Sequence, residues 1–149
     1  MKGDGGLGRD VSSQVRICVE RCVRKINRQT LSRARRAANA LRNAELKVLK
    51  GQRSGKIYRK PFSRATYRAS APGEAPARRP GALRLSFVPY VESYGDRDCT
   101  IKAGIESGMD YAEILEKGSG RMAPRPYREP ILEKAKPEIE RIFKEPYKL

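Results

Sequence analysis

The chain has 149 residues, the length of one ordinary domain with a single modest core. Apolar residues make up 38%, aromatics 7%, and there is no Trp, so much of the chain must stay solvated or bury its apolar faces against other subunits. The net charge of +16, the absence of His and the lack of any apolar run near ~18 residues argue against a membrane span, histidine-based catalysis and conventional zinc sites, and favour polyanionic or acidic partners.

The charge is uneven. Residues 1–70 hold 19 basic and 4 acidic side chains, while residues 71–149 hold 14 and 13. The first ten residues, MKGDGGLGRD, lack the apolar stretch of a secretory signal and read as a flexible tail of a soluble protein. Gly3, Gly5 and Gly8 spell GxGxxG, but no strand precedes them, so they do not read as a nucleotide-binding turn.

From Val11 to Lys50 there is no Pro or Gly, and good helix formers dominate, which predicts one long helix stopped by Gly51. Val15, Cys18, Val19, Cys22, Ile26, Ala34, Ala37, Leu41, Ala44 and Val48 follow a period near 3.6. Asn27, Gln29 and Thr30 interrupt that stripe and predict a bend or break. Unbroken, such a helix reaches ~60 Å, more than a domain of this size needs for its own core, so part of it is expected to pack on a neighbour. Cys18 and Cys22, one turn apart, are expected to be buried by packing; with Cys99 they are too few and scattered for a disulfide scaffold and suit a reducing cytoplasm. Arg16, Arg24, Arg28, Arg33, Arg35, Arg36 and Arg42, with Arg21 and Lys25, make this helix basic enough to follow phosphates or an acidic protein.

Residues 55–69 carry β-formers broken by Pro61 and predict an edge strand or irregular hairpin. The tract 71–81, APGEAPARRPG, predicts an extended loop within a Pro-rich segment 69–82, and the stretch from Ala69 to Gly81 is expected to be mobile in an isolated subunit and ordered only against a neighbour. Alternation of Leu83, Leu85 and Phe87, and of Cys99, Ile101, Ala103 and Ile105, predicts two strands joined through Tyr94-Gly95-Asp96-Arg97. Asp110 and Glu113 suggest a capping box for a helix from Tyr111 to Lys117, ended by Gly118. After a loop to Pro126, a last helix from about Tyr127 accepts Pro130 in its first turn, is expected to kink at Pro137, and places Ile131, Leu132, Ala135, Ile139, Ile142 and Phe143 on one face. The fold class is α+β: long N-terminal and C-terminal helices packed on a small, mostly antiparallel sheet, in one domain over 11–149.

No Ser or Cys lies in a nucleophile motif and no phosphate loop follows a strand, so the residues point away from an enzyme, and no cofactor is implied. Glu113 and Glu116 read as a solvated helix face. No zinc finger, RNP or KH motif accompanies the basic helix, and few aromatics are interleaved for base stacking.

Two tracts, ASAPGEAPARRPGALRLS at 69–86 and YAEILEKGSGRMAPRPYREPILEKAKPEI at 111–139, read as ordinary turns and helices from their chemistry alone. Jointly they resemble the gene-10-like tail-completion family of long-tailed double-stranded-DNA phages, similar in role to the minor tail protein Z of lambda-like phages. Ala71, Pro72, Gly73, Glu74, Pro76, Ala77, Gly81 and Leu83 match the first family motif, with Pro80 where Thr is common and Ala82 where a basic residue is common. Tyr111, Ala112, Leu115, Glu116, Gly118, Ser119, Ala123, Arg125, Pro126 and Tyr127 match the second. The resemblance implies a virion subunit, made in the host cytoplasm, that forms a homo-oligomeric ring, six-fold by preference, in the neck between connector and tail proteins, with genome DNA crossing the lumen. It further implies that Pro72, Gly73, Glu74, Pro76 and Gly81 form a subunit-interface loop and that Gly118, Ser119, Arg125 and Pro126 form a structural turn. A tail terminator or head-closure ring is the nearest alternative, and a basic nucleic-acid-binding protein is the alternative of a different class.

Overall fold

The structure is a computed structural model that describes residues 5–77, 81–95 and 100–149, the side chains of 5–9 excepted. Its first element, α1 (Gly5–Lys50), is one helix of 46 residues. It starts six residues before the expected Val11: of the expected flexible tail, residues 5–10 are helical and residues 1–4 lie outside the described residues. Each Gly costs only ~1 kcal/mol against Ala when added to a helix that is already nucleated. The break expected near Asn27 is also absent. Thr30 Oγ1 donates back to the Ile26 carbonyl at 2.9 Å, and Gln29 and Thr30 hold the C-terminal segment, so the polar cluster is a docking point on an intact helix.

A short hairpin follows, β1 (Ile57–Arg59) paired antiparallel with β2 (Thr66–Arg68). Tyr58 and Tyr67 stack across it at 5.7 Å, which fits the irregular hairpin read around Pro61. The strand expected from Leu83 begins only later. Ala82–Ser86 is one helical turn, α2, and β3 (Phe87–Tyr94) starts after it. Gly81, at φ 91°, redirects the chain and its carbonyl accepts from Leu85 N–H at 2.9 Å. A helical turn sets Leu83 and Phe87, four apart, on the buried side and turns Leu85 outward, whereas a strand would bury all three.

β3 pairs antiparallel with β4 (Thr100–Ser107), from Phe87 opposite Ser107 to Tyr94 opposite Thr100. Asp96 and Arg97 of the expected connection, and Cys99 of the second expected strand, lie outside the described residues. α3 (Tyr111–Lys117) has the bounds expected of it, but the capping box does not form: Asp110 is already in the helical region, makes no side-chain cap bond, and Glu113 pairs with Lys117 at 2.5 Å instead. α4 (Arg128–Lys144) is capped from α3 by Glu116, whose Oε2 accepts from Tyr127 N–H at 2.9 Å and Arg128 N–H at 3.3 Å. Glu116 is thus no mere solvated residue. α4 runs through Pro137, burying Ile131, Ala135 and Ile142 while Leu132 and Phe143 face outward.

The molecule is α+β: α1 packs against α4 on one side and the β3–β4 ribbon on the other. Ala34, Ala37 and Ala38 are buried on α1 and Ala135 on α4, small side chains that permit close helix packing. Ala44, Leu49, Leu83, Phe87, Ala112, Tyr127 and Ile131 form the core with Ala135. Within it, Phe87 meets Tyr127 edge-on at 5.7 Å, and Tyr127 donates its hydroxyl to the Ala112 carbonyl at 3.0 Å. Gly118 closes α3 at φ 78°, ψ −178°, and its N–H donates to the Ile114 carbonyl. A Cβ there would stand 2.8 Å from the Met122 carbonyl oxygen and from Pro124 N. Gly118→Ala is therefore expected to lower stability by at least ~1–3 kcal/mol, measured by urea unfolding, since that backbone region admits essentially only Gly.

Candidate assembly surfaces

The two tracts that carry the resemblance lie together in space. Gly73 N–H donates to the Pro124 carbonyl at 3.1 Å, and Arg125, whose N–H bonds the Leu115 carbonyl at 2.8 Å, donates its guanidinium to the Ser70 hydroxyl. Gly118 and Ser119 turn the chain into this junction: Ser119 and Met122 exchange backbone bonds of 2.8 and 3.1 Å. Pro126 follows, half-buried, just before Tyr127.

The loop is fastened to its own chain, contrary to the expectation that it orders only against a neighbour. Glu74 accepts from Ser54 N–H at 3.0 Å, from Ala71 N–H at 2.9 Å and from the Ser54 hydroxyl. Arg53 donates to the Pro76 carbonyl at 3.0 Å and to the Val48 carbonyl at 2.8 Å, joining the loop to the end of α1. Gly55 permits the return of residues 69–70, because a Cβ would lie 2.6 Å from the Ala69 carbonyl oxygen. Among the described residues of the loop, Pro76 and Gly81 are buried and only Pro72 and Gly73 are exposed. A Pro-rich tract needs no ladder of its own when side chains of the preceding segment satisfy its backbone.

Donation from Ser54, by hydroxyl and then backbone, and from Ala71 holds the Glu74 carboxyl down to about 2, against an ordinary 4.5. The folded state then binds this proton more weakly than the unfolded chain. Its contribution is complete above about pH 4.5 and is lost as pH falls from there through about 2. Thermal unfolding of wild type and Glu74→Gln at stepped pH should show their difference in melting temperature shrinking across that window. Parallel curves would contradict the assignment.

The seven arginines expected to face a polyanion or acidic partner divide into two groups. Arg33 is only 3% exposed; it donates to the Pro146 carbonyl at 3.0 Å and lies 3.8 Å above the Tyr147 ring. Arg36 grips Glu145 with bonds of 2.8 and 2.5 Å, and Arg42 pairs with Glu45 and donates to the Arg84 carbonyl at 2.8 Å. Arg33 and Arg42 thus serve the fold and not a partner, whereas Arg36, though paired with Glu145, stays exposed. Arg16, Arg24, Arg28 and Arg35 are exposed, Arg16 and Arg24 sharing Glu20 at 3.3 and 4.0 Å. The segment 145–148 thus lies along α1, and Gln29 completes it by donating to the Lys148 carbonyl and accepting its N–H at 2.9 Å.

Beyond that clamp α1 continues as an arm whose residues from Asp10 to Arg21 are all exposed. Cys18 is exposed and Cys22 half-exposed, so the cysteines are not buried within the chain; Cys99 lies outside the described residues. Compared with family models, curated proteins and solved structures, the chain matches none. Among the described residues no group of three or more His, Cys, Asp or Glu gathers where it could hold a metal, and no helix is long and apolar enough to cross a membrane. The arrangement offers surfaces for assembly: an uncovered helical arm, an exposed basic row, and a braced loop with Pro72 at its tip.

Proposed function

We propose that the chain is a non-enzymatic structural subunit of a tailed-phage virion, a tail-completion protein that closes with its copies into a ring at the head-tail junction, six being the favoured number. The observation that carries the assembly reading is the length of α1: Val11, Val15 and Val19 are 55%, 58% and 56% exposed on an arm that its own core never reaches. Apolar groups left in a row on a rigid helix are stabilised when another subunit removes them from water. The resemblance of the two tracts, which here brace each other through Gly73 and Arg125, supports the neck as the place of assembly. Subunits joined head to tail close into a ring when the rotation between them permits. Genome DNA then crosses the lumen without sequence-specific contacts.

Reconstruction of an intact particle that carries this chain tests the proposal. A ring of copies between connector and tail is the expected result, and isolated copies at the neck would overturn it. A tail terminator or head-closure ring differs only in the neighbours such a reconstruction would reveal. The exposed Arg16, Arg24, Arg28 and Arg35 also favour a second reading, a basic nucleic-acid-binding protein. That reading requires tight duplex binding at physiological salt that weakens steeply as salt rises.

A further inference from the structure

We infer that the apolar arm of one copy seats in a groove of the next copy, between β4, α3 and α4, and that this arm-in-groove contact is the repeating interface of the assembly. The inference rests on the ring reading above and assigns it a specific contact. The arm presents Val11, Val15, Cys18, Val19 and Cys22 on one face at helical spacing. Arg21 and Lys25 flank that stripe on one side and Arg16 on the other, while Glu20 stands on the opposite face with Arg24. The arm is thus an apolar ridge between basic margins.

The groove is its complement. It is a cleft of about 790 Å³ with Leu41, Phe87, Ile105, Met109, Ile131 and Leu132 among its lining. Glu106, Asp110 and Glu113 lie around it against one basic lining residue, Arg128. Glu113 is already engaged by Lys117, and Glu106 stands opposite Val88, on the other face of the ribbon from Phe87 and Ile105, so Asp110 carries most of the attraction. On a chain of net charge +16, an apolar cleft with an acidic lip is the surface that suits a basic amphipathic helix.

Two alternatives fit the geometry less well. Val15 and Leu41 are on the same unbroken helix, and the ~39 Å of rise between them keeps the arm out of its own groove. Pairing of two arms, ridge to ridge, would set basic margins against each other, which costs free energy. An arm entering a groove on a different copy is a heterologous contact, the type that builds rings.

The test uses the full chain with Val15→Glu, on the arm, and Leu132→Glu, on the lip of the groove, where the native residues are 58% and 57% exposed. Far-UV circular dichroism should show both variants folded. At about 2 mM, where a self-association interface of about 1 mM dissociation constant is half occupied, sedimentation of wild type should show oligomers larger than dimers. Each variant alone should associate at least about tenfold more weakly, because an unpaired carboxylate would enter an apolar site. An equimolar mixture should form dimers and stop there, since the sound arm of one variant meets the sound groove of the other and the remaining ends are both blocked. If both variants assemble like wild type, the contact is wrong while the ring reading stands. If only Val15→Glu fails, while Leu132→Glu associates like wild type and the mixture contains no dimer of one variant with the other, the arms pair with each other and the inference falls. A wild type monomeric at this concentration also overturns the contact, and particle reconstruction still decides the ring.

Discussion

Glu45→Ala should lower the stability of the chain by about 3–5 kcal/mol, the usual cost of removing one partner of a buried ion pair. Glu45 has no exposed surface although it sits on a helix whose other charged residues largely face water. Its Oε2 meets Arg42, and Arg42 in turn donates to the Arg84 carbonyl, tying α1 to α2. Burial, and secondarily the nearby Arg84 charge, lower the Arg42 pKa, so this guanidinium is held where water does little to support its charge. Without Glu45 it keeps one carbonyl and no counter-charge. A loss of that size removes a large share of the ~5–15 kcal/mol that folds a typical domain, and urea unfolding would detect it readily. Glu45 Oε1 has no hydrogen-bond partner among the described residues, so the pair is also an imperfect one. The double variant Arg42→Met, Glu45→Leu should therefore regain most of the loss, because an apolar pair of similar volume carries no desolvation cost. A Glu45→Ala variant within ~0.5 kcal/mol of wild type would show that the pair contributes little.

What could be read from the sequence follows from whether the signal was local. The span of α1 to Lys50, the hairpin around Pro61, the bounds of α3 and the Gly118 stop each rest on neighbouring residues, and all are present. Leu83, Leu85 and Phe87 were ambiguous for a physical reason: three apolar residues two apart fit a strand, yet the first and third also fit one helical turn. The main errors concern partners distant in sequence. Gln29, Thr30, Arg33 and Arg36 bind a segment more than a hundred residues away, and nothing in the pattern of 145–148 marks it as their counterpart. Asn27, Gln29 and Thr30 therefore read as a weak point in the helix. Glu116 caps α4 across eleven residues, equally beyond the reach of a local motif. The loop at 71–81 was legible as a Pro-rich irregular tract, but not its bracing, which depends on Arg53 and Ser54, twenty or more residues earlier and just past the end of α1. The groove assembled from β4, α3 and α4 has no sequence signature, since no single segment contains it.

The division of the helix arginines predicts opposite outcomes for equal changes in charge. Arg33→Glu should cost on the order of 3–5 kcal/mol, because it buries a carboxylate against the Pro146 carbonyl and the face of Tyr147, where the guanidinium had been favourable. Arg16, Arg28 and Arg35 changed together to Glu should stay within about 1 kcal/mol of wild type, since exposed charges contribute little individually. The exposed triple should nevertheless block head-tail joining if these residues meet an acidic neighbour or the DNA path. A lumen that bound DNA tightly throughout would impede its passage, because every neutralised phosphate adds salt-dependent affinity. Most of the exposed row is therefore expected to face acidic protein, with few positions on DNA. Duplex binding measured across a salt series separates the two. Loss of about three phosphate contacts would reduce the slope of log affinity against log salt by roughly 2.7, whereas a protein-facing row would leave weak DNA binding almost unchanged while joining fails. Infectious particles at normal yield from the exposed triple would remove the basic row from the mechanism of assembly altogether.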